Sequence, residues 1–159
     1  MLKFFIDYPY VVYSIITWGF VIIFLGFKEI KRLWPVSILS AVMVFVAAYW
    51  LAAAGAYKFN INFLPVFGIP FFFILWGAGD GIVFAHYFGE KTYRRFLSIL
   101  IFAGLTVGFE HFVERYKRVE HLGKFTDVTE FVYDVIILAA FAFLITSLFG
   151  SRLIKNEKK

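Results

Sequence analysis

The chain has 159 residues, of which 62% are hydrophobic and 17% charged, with a formal net charge of +5 and no cysteine. Soluble domains run nearer half apolar and a quarter charged, so this chain carries too little charge to cover a water-facing surface. The lack of cysteine excludes disulfides, thiolate metal sites and a cysteine nucleophile, and the basic residues sit at the ends of apolar runs, where they suit anionic headgroups rather than nucleic acid.

The N-terminal stretch "MLKFFIDYPY" leads into an apolar run of full spanning length with no small-residue cleavage site, unlike a cleavable signal peptide. Apolar runs of roughly 18 residues or more mark membrane-spanning helices. Five are read here, at about 8–27, 34–56, 63–88, 96–113 and 128–149, followed by a basic tail at 150–159. The predicted fold is therefore all-α: one polytopic transmembrane helix bundle over residues 1–159. A β-barrel would need alternating strands, which are absent. "KEIKR" closes the first span, and Pro35 suits the first turn of the second. Pro65 and Pro70 kink the third span or delay its start. After the fourth, "ERYKRVEHLGKFTD" is a polar loop with a turn at Gly123, and Asp127 with Glu130 reads as a capping box for the fifth span. With the N-terminus outside and the C-terminus inside, ten of the sixteen Lys and Arg residues fall on the cytoplasmic side, which sets the expected orientation. Trp18, Trp34 and Trp50 are candidate interface anchors, whereas Trp76 lies mid-span.

Two small-xxx-small patterns invite close helix contact: Gly77 with Gly81 in span three, and Gly104 with Gly108 in span four. A short loop joins these spans, so they are expected to pack antiparallel through their glycines. Ala48, Ala52 and Ala56 add a small-residue face on span two.

Ionisable groups inside the spans carry the functional reading, because a charge at the bilayer centre costs about 2.5–3.5 kcal/mol. Asp80 lies deep within "WGAGDGIVFAH", with His86 six residues on, about 9 Å along the helix and on a different face. At the outer end, Glu110, His111, Glu130 and Asp134 form an expected polar cluster, with Arg115, Glu114 and His121 above it. Converging carboxylates and an imidazole suit a cation or a proton path. The same acids could instead pair with Arg115, Lys117 or Arg118 and fix the loop, and Thr106 is a candidate hydroxyl partner for Asp80. His86 and His111 fall at opposite ends, which argues against a haem held between them. HExxH, GxSxG and GxGxxG are all absent.

"KEIKRLWPVSILSAV", "FNINFLPVFGIP", "GFEHF" and "TDVTEFVYDVII" together resemble an uncharacterised family of small multi-pass membrane proteins from spore-forming Firmicutes, over most of the chain. The resemblance implies a prokaryotic cell-membrane location and the same topology. It also implies asparagine where this chain carries Asp134, and it supplies no chemistry. Three functions are consistent with the residues. The first is a membrane protein acting through helix packing, as a homo-oligomer or as a subunit of a membrane assembly. The second is a cation- or proton-handling transporter or channel built on the intramembrane carboxylates. The third is an intramembrane enzyme acting on lipid. No cofactor is expected, the metal question is open, and the expected partners are the lipid bilayer and a second copy or another membrane protein.

Overall fold

The computed structural model describes residues 7–60, 64–88, 91–123 and 125–154, with side chains described as far as residue 150. Lys3, Lys124 and the end of the basic tail lie outside the described residues.

Helix α1 (Pro9–Phe20) starts on a proline whose missing N–H costs nothing in the first turn. It runs into a wider π turn, Val21–Leu25, and ends at Gly26, where φ of +79° and ψ of 167° break the helix. A side chain at that φ is strained, and glycine is not. Helix α2 (Gly26–Ala53) follows at once. The expected loop around "KEIKR" is therefore helical, its Glu29 and Arg32 joined as an i,i+3 ion pair. Pro35 sits inside α2 rather than in its first turn. Strand β1 (Tyr57–Phe59) comes next, then a small hairpin of β2 (Pro65–Val66) and β3 (Ile69–Pro70). Pro65 and Pro70 thus delay the third helix: α3 spans only Phe71–Tyr87. Helix α4 (Thr92–Arg115) leads to strand β4 (Val119–His121), and α5 (Asp127–Ile154) closes the chain with a non-helical break at Gly150. Strands β1 and β4 pair antiparallel, with Tyr57 opposite His121 and Phe59 opposite Val119.

Three apolar stretches are long enough to cross a membrane: Pro9–Ala53, which Gly26 divides, Thr92–Arg115 and Asp127–Gly150; Phe71–Tyr87 is apolar but shorter. Large apolar side chains cover the outside, with Ile23 75% and Phe143 68% exposed, an arrangement compatible with a hydrocarbon surrounding.

Helix α3 is the hub. Ser14 Oγ and Trp18 Nε1 of α1 donate to the carbonyls of Phe72 and Leu75, so α1 runs parallel to α3. Ser37 and Ser40 of α2 donate to Ala78 and Gly77, and Glu29 meets His86, so α2 runs antiparallel. Helices α4 and α5 pack chiefly on each other, and their contacts with the first three helices are sparser.

The glycines in α3 serve this packing, but against other partners than expected. A Cβ on Gly77 would lie 2.6 Å from Val44 Cγ2, and one on Gly81 would lie 2.3 Å from Ser40 Cβ. Their partner is α2, not α4. Gly79 faces the other way, onto Thr17 and Trp18 of α1. Gly104 and Gly108 have nothing within 4 Å and lie exposed on the outer side of α4, so the expected glycine contact between spans three and four is not formed. Placing a valine at Gly81 should force α2 and α3 apart and destabilise the fold by about 1–3 kcal/mol. Valine at Gly104 should leave the midpoint of thermal unfolding in detergent unchanged. Equal effects at the two positions would contradict this packing.

Candidate functional site

A cleft of about 840 Å³, its open part included, lies along the seam between the three-helix group and the α4–α5 pair. Its enclosed cavity volume is about 110 Å³, room for a few waters or a small ion. All four carboxylates expected to matter inside the spans line it: Asp80 from α3, Glu110 from α4, and Glu130 and Asp134 from α5. Tyr57, Ser40, Thr106 and Tyr133 add hydroxyls, and Phe73, Trp76, Phe84 and Phe141 add apolar wall. Among the described residues the lining contains no lysine, arginine or histidine.

Local structure places each acid. Gly77 and Gly81 turn one face of α3 to α2 and Gly79 turns another to α1, so Asp80, between these faces, is directed at the seam. Thr106 donates its hydroxyl to Phe102 O one turn back in α4, and does not serve Asp80. Glu110 is 1% exposed, and its carboxylate lies beside the Tyr57 hydroxyl without reaching hydrogen-bond geometry. Asp134 Oδ2 is likewise buried and unbonded. An unpaired buried carboxylate is among the costliest groups a protein can hold.

Glu130 is not the capping residue expected from the sequence. The reciprocal cap of α5 belongs to Thr126 and Thr129: Thr126 N donates to Thr129 Oγ1 at 2.6 Å, and Thr129 N lies 3.5 Å from Thr126 Oγ1. Glu130, 3% exposed, is thereby left to the site. Its Oε1 accepts a hydrogen bond of 3.1 Å from Tyr57 OH. Burial, and then the neighbouring carboxylates of Glu110 and Glu130, push the Tyr57 phenol well above its usual pKa near 10, so it stays a donor.

The other expected residues lie elsewhere. His86 is at the far end of α3, its Nδ1 3.1 Å from Glu29 Oε2, beside Arg32. His111 is exposed on α4, with Nδ1 3.0 Å from Asp127 Oδ2. Arg115 is exposed and outside the lining. Arg118 is the basic residue that fixes the loop, through Asp7 at 2.7 Å rather than through the clustered acids. The histidine that reaches the acids is His121, delivered by β4, with Nε2 3.3 Å from Glu130 Oε2 and Nδ1 3.3 Å from Glu114 Oε2. Tyr57 went unread in the sequence because a lone tyrosine between an alanine-rich helix end and a polar strand carries no local signal. Only the pairing of β1 with β4, which sets it opposite His121, could have found it.

Compared with family models, with curated proteins and with solved structures, the chain finds no match. The site must therefore be read from its own chemistry. If Glu110 serves a ligand and not the fold, Glu110→Leu should stabilise the protein by about 1–3 kcal/mol, since it removes an unsatisfied buried group. A fall in the midpoint of thermal unfolding would show instead that the carboxylate holds the helices together.

Proposed function

We propose that this protein is a five-helix membrane protein, N-terminus outside and C-terminus inside, that binds and conducts protons or small cations through the carboxylate-lined cleft. The observation that carries this reading is the charge balance of the cleft. Four carboxylates share one cavity whose described lining residues contain no lysine or arginine, and Glu110, beside the Tyr57 hydroxyl, is 1% exposed. In a low-dielectric site such groups are tolerated when mobile positive charge, a proton or a metal cation, neutralises them. Asp80 lies on the three-helix group and the other three acids on the α4–α5 pair, so a cation moving along the seam would pass from one group to the other. The helix break at Gly26 and the antiparallel run of α2 against α3 support the reading of five crossings.

Reconstituted in liposomes carrying a pH-sensitive dye and an imposed potential, the wild-type protein should move protons or monovalent cations. Asp80→Asn and Glu110→Gln should each cut the rate at least about tenfold, the size expected when one buried relay group is lost. A wild-type protein that moves no ion would sink the transport reading.

A second reading, action through helix packing, is favoured by Gly104 and Gly108. They lie open on the outer face of α4 beside exposed Ile101 and Leu105, and such a groove admits a second helix backbone. The partner proposed is a second copy of the chain. Gly104→Leu with Gly108→Leu should leave thermal stability intact yet abolish dimers in lipid, read by single-molecule photobleaching; unchanged dimers would refute this use of the groove.

A further inference from the structure

We infer that His121, Glu130 and Asp127 form a binding site for a divalent transition-metal ion of the zinc type, at the end of the cleft that the β1–β4 pair covers. This goes beyond the proposed conduction of protons or cations and stands whether or not any ion crosses the membrane.

The argument starts from two atoms. His121 Nε2 and Glu130 Oε2 are 3.3 Å apart, both buried, and neither makes a hydrogen bond. The side chains are 6% and 4% exposed, so water does not solvate them freely. Atoms at that separation that are not aligned on each other are placed to converge on a third. Two ligands each about 2.1 Å from a tetrahedral zinc ion stand about 3.4 Å apart, close to the observed spacing.

The surroundings are those of a metal-bound histidine. Nδ1 of His121 lies 3.3 Å from Glu114 Oε2, and the His121 backbone N–H is 3.4 Å from Glu114 Oε1. The tautomer with its proton on Nδ1, facing Glu114, would leave the Nε2 lone pair toward Glu130. A carboxylate holding the far nitrogen is the usual outer partner of a zinc-bound imidazole. Strand pairing fixes the ring from behind: Tyr57 stands opposite His121, Leu122 N bonds to Ala56 O at 2.9 Å, and the ring packs against Tyr57 and Phe125. Glu130 is held at its other oxygen by Tyr57 OH. Asp127 brings a second carboxylate to the same group, its Oδ1 3.8 Å from His121 Nδ1, and one potential ligand atom from each of the three residues lies within 4.8 Å of the others. One nitrogen and two carboxylate oxygens form a common ligand set for zinc and its neighbours, with a coordination position left for water.

The test is equilibrium titration of Zn²⁺ into the full-length, tag-free, chelator-treated protein in detergent. One Zn²⁺ per chain is expected. His121→Gln and Glu130→Gln should each weaken binding at least about tenfold, and His86→Gln, at the opposite end of α3, should not change it. No stoichiometric binding, or binding that survives both site variants, overturns the inference. Should either variant fail to fold, X-ray absorption at the zinc edge of the wild-type complex decides the matter. It should show one imidazole nitrogen and oxygens near 2.0–2.1 Å, and a shell without imidazole refutes the site. The titration needs no transport assay, so a protein that moves no ion but binds Zn²⁺ in this way would fail the conduction proposal alone.

Discussion

The close approach of α3 to α2 at Gly77 and Gly81 is the constraint on which the rest depends. With no side chain between the backbones, Ser37 and Ser40 reach the carbonyls of Ala78 and Gly77 at 2.9 and 2.7 Å. On the other side Gly79 lets α1 close in, and Trp18 and Ser14 reach Leu75 and Phe72. In hydrocarbon no hydrophobic drive pulls helices together, because lipid tails are as apolar as leucine. Van der Waals contact and hydrogen bonds between helices must hold them, the bonds averaging about 0.6 kcal/mol each. Four such bonds, from side chains on α1 and α2, converge on one short helix here.

That packing explains why an aspartate survives in α3. With 100° between successive residues, faces given to α1 and α2 leave one sector for Asp80, and it points at the seam. The seam is where α4 and α5, well packed on each other, meet the three-helix group with fewer contacts. A sparse, polar junction between two firmly packed groups is where relative movement disturbs least, as in shear and hinge motions of other proteins. The β1–β4 pair links the groups at one end, since β1 follows α2 and β4 follows α4.

Periodicity and length were enough to read the helical class, because unbroken apolar runs have few other solutions in a chain of this composition. They also brought Asp80, Glu110, Glu130 and Asp134 forward, because ionisable groups inside such runs stand out. What they missed depends on geometry that no local pattern encodes. A glycine pair signals that a backbone can approach, not which one: Gly77 and Gly81 serve α2, and Gly104 and Gly108 serve no helix of the chain. Charge suggested a loop at "KEIKR", yet Glu29, Arg32 and His86 satisfy one another and the helix begins at Gly26. The cap of α5 falls to Thr126 and Thr129, one residue ahead of the pair that the motif suggested, and this shift turns Glu130 from a local structural residue into part of the cleft. His121 needed the pairing of two strands more than fifty residues apart.

The two ends of the molecule hold their charges in opposite ways, and the contrast separates structure from function. Beside His86, one carboxylate, Glu29, is matched by a guanidinium and an imidazole. The group closes the α2–α3 contact. Around His121, one imidazole faces the carboxylates of Glu114, Asp127 and Glu130, with Glu110 and Asp134 in the cleft beyond. Arg118 of the polar loop is bound to Asp7. Fold stability alone would favour replacing such a surplus of buried negative charge with apolar side chains. Its presence, held in place by a strand pair and a tyrosine, fits the proposed site for mobile positive charge.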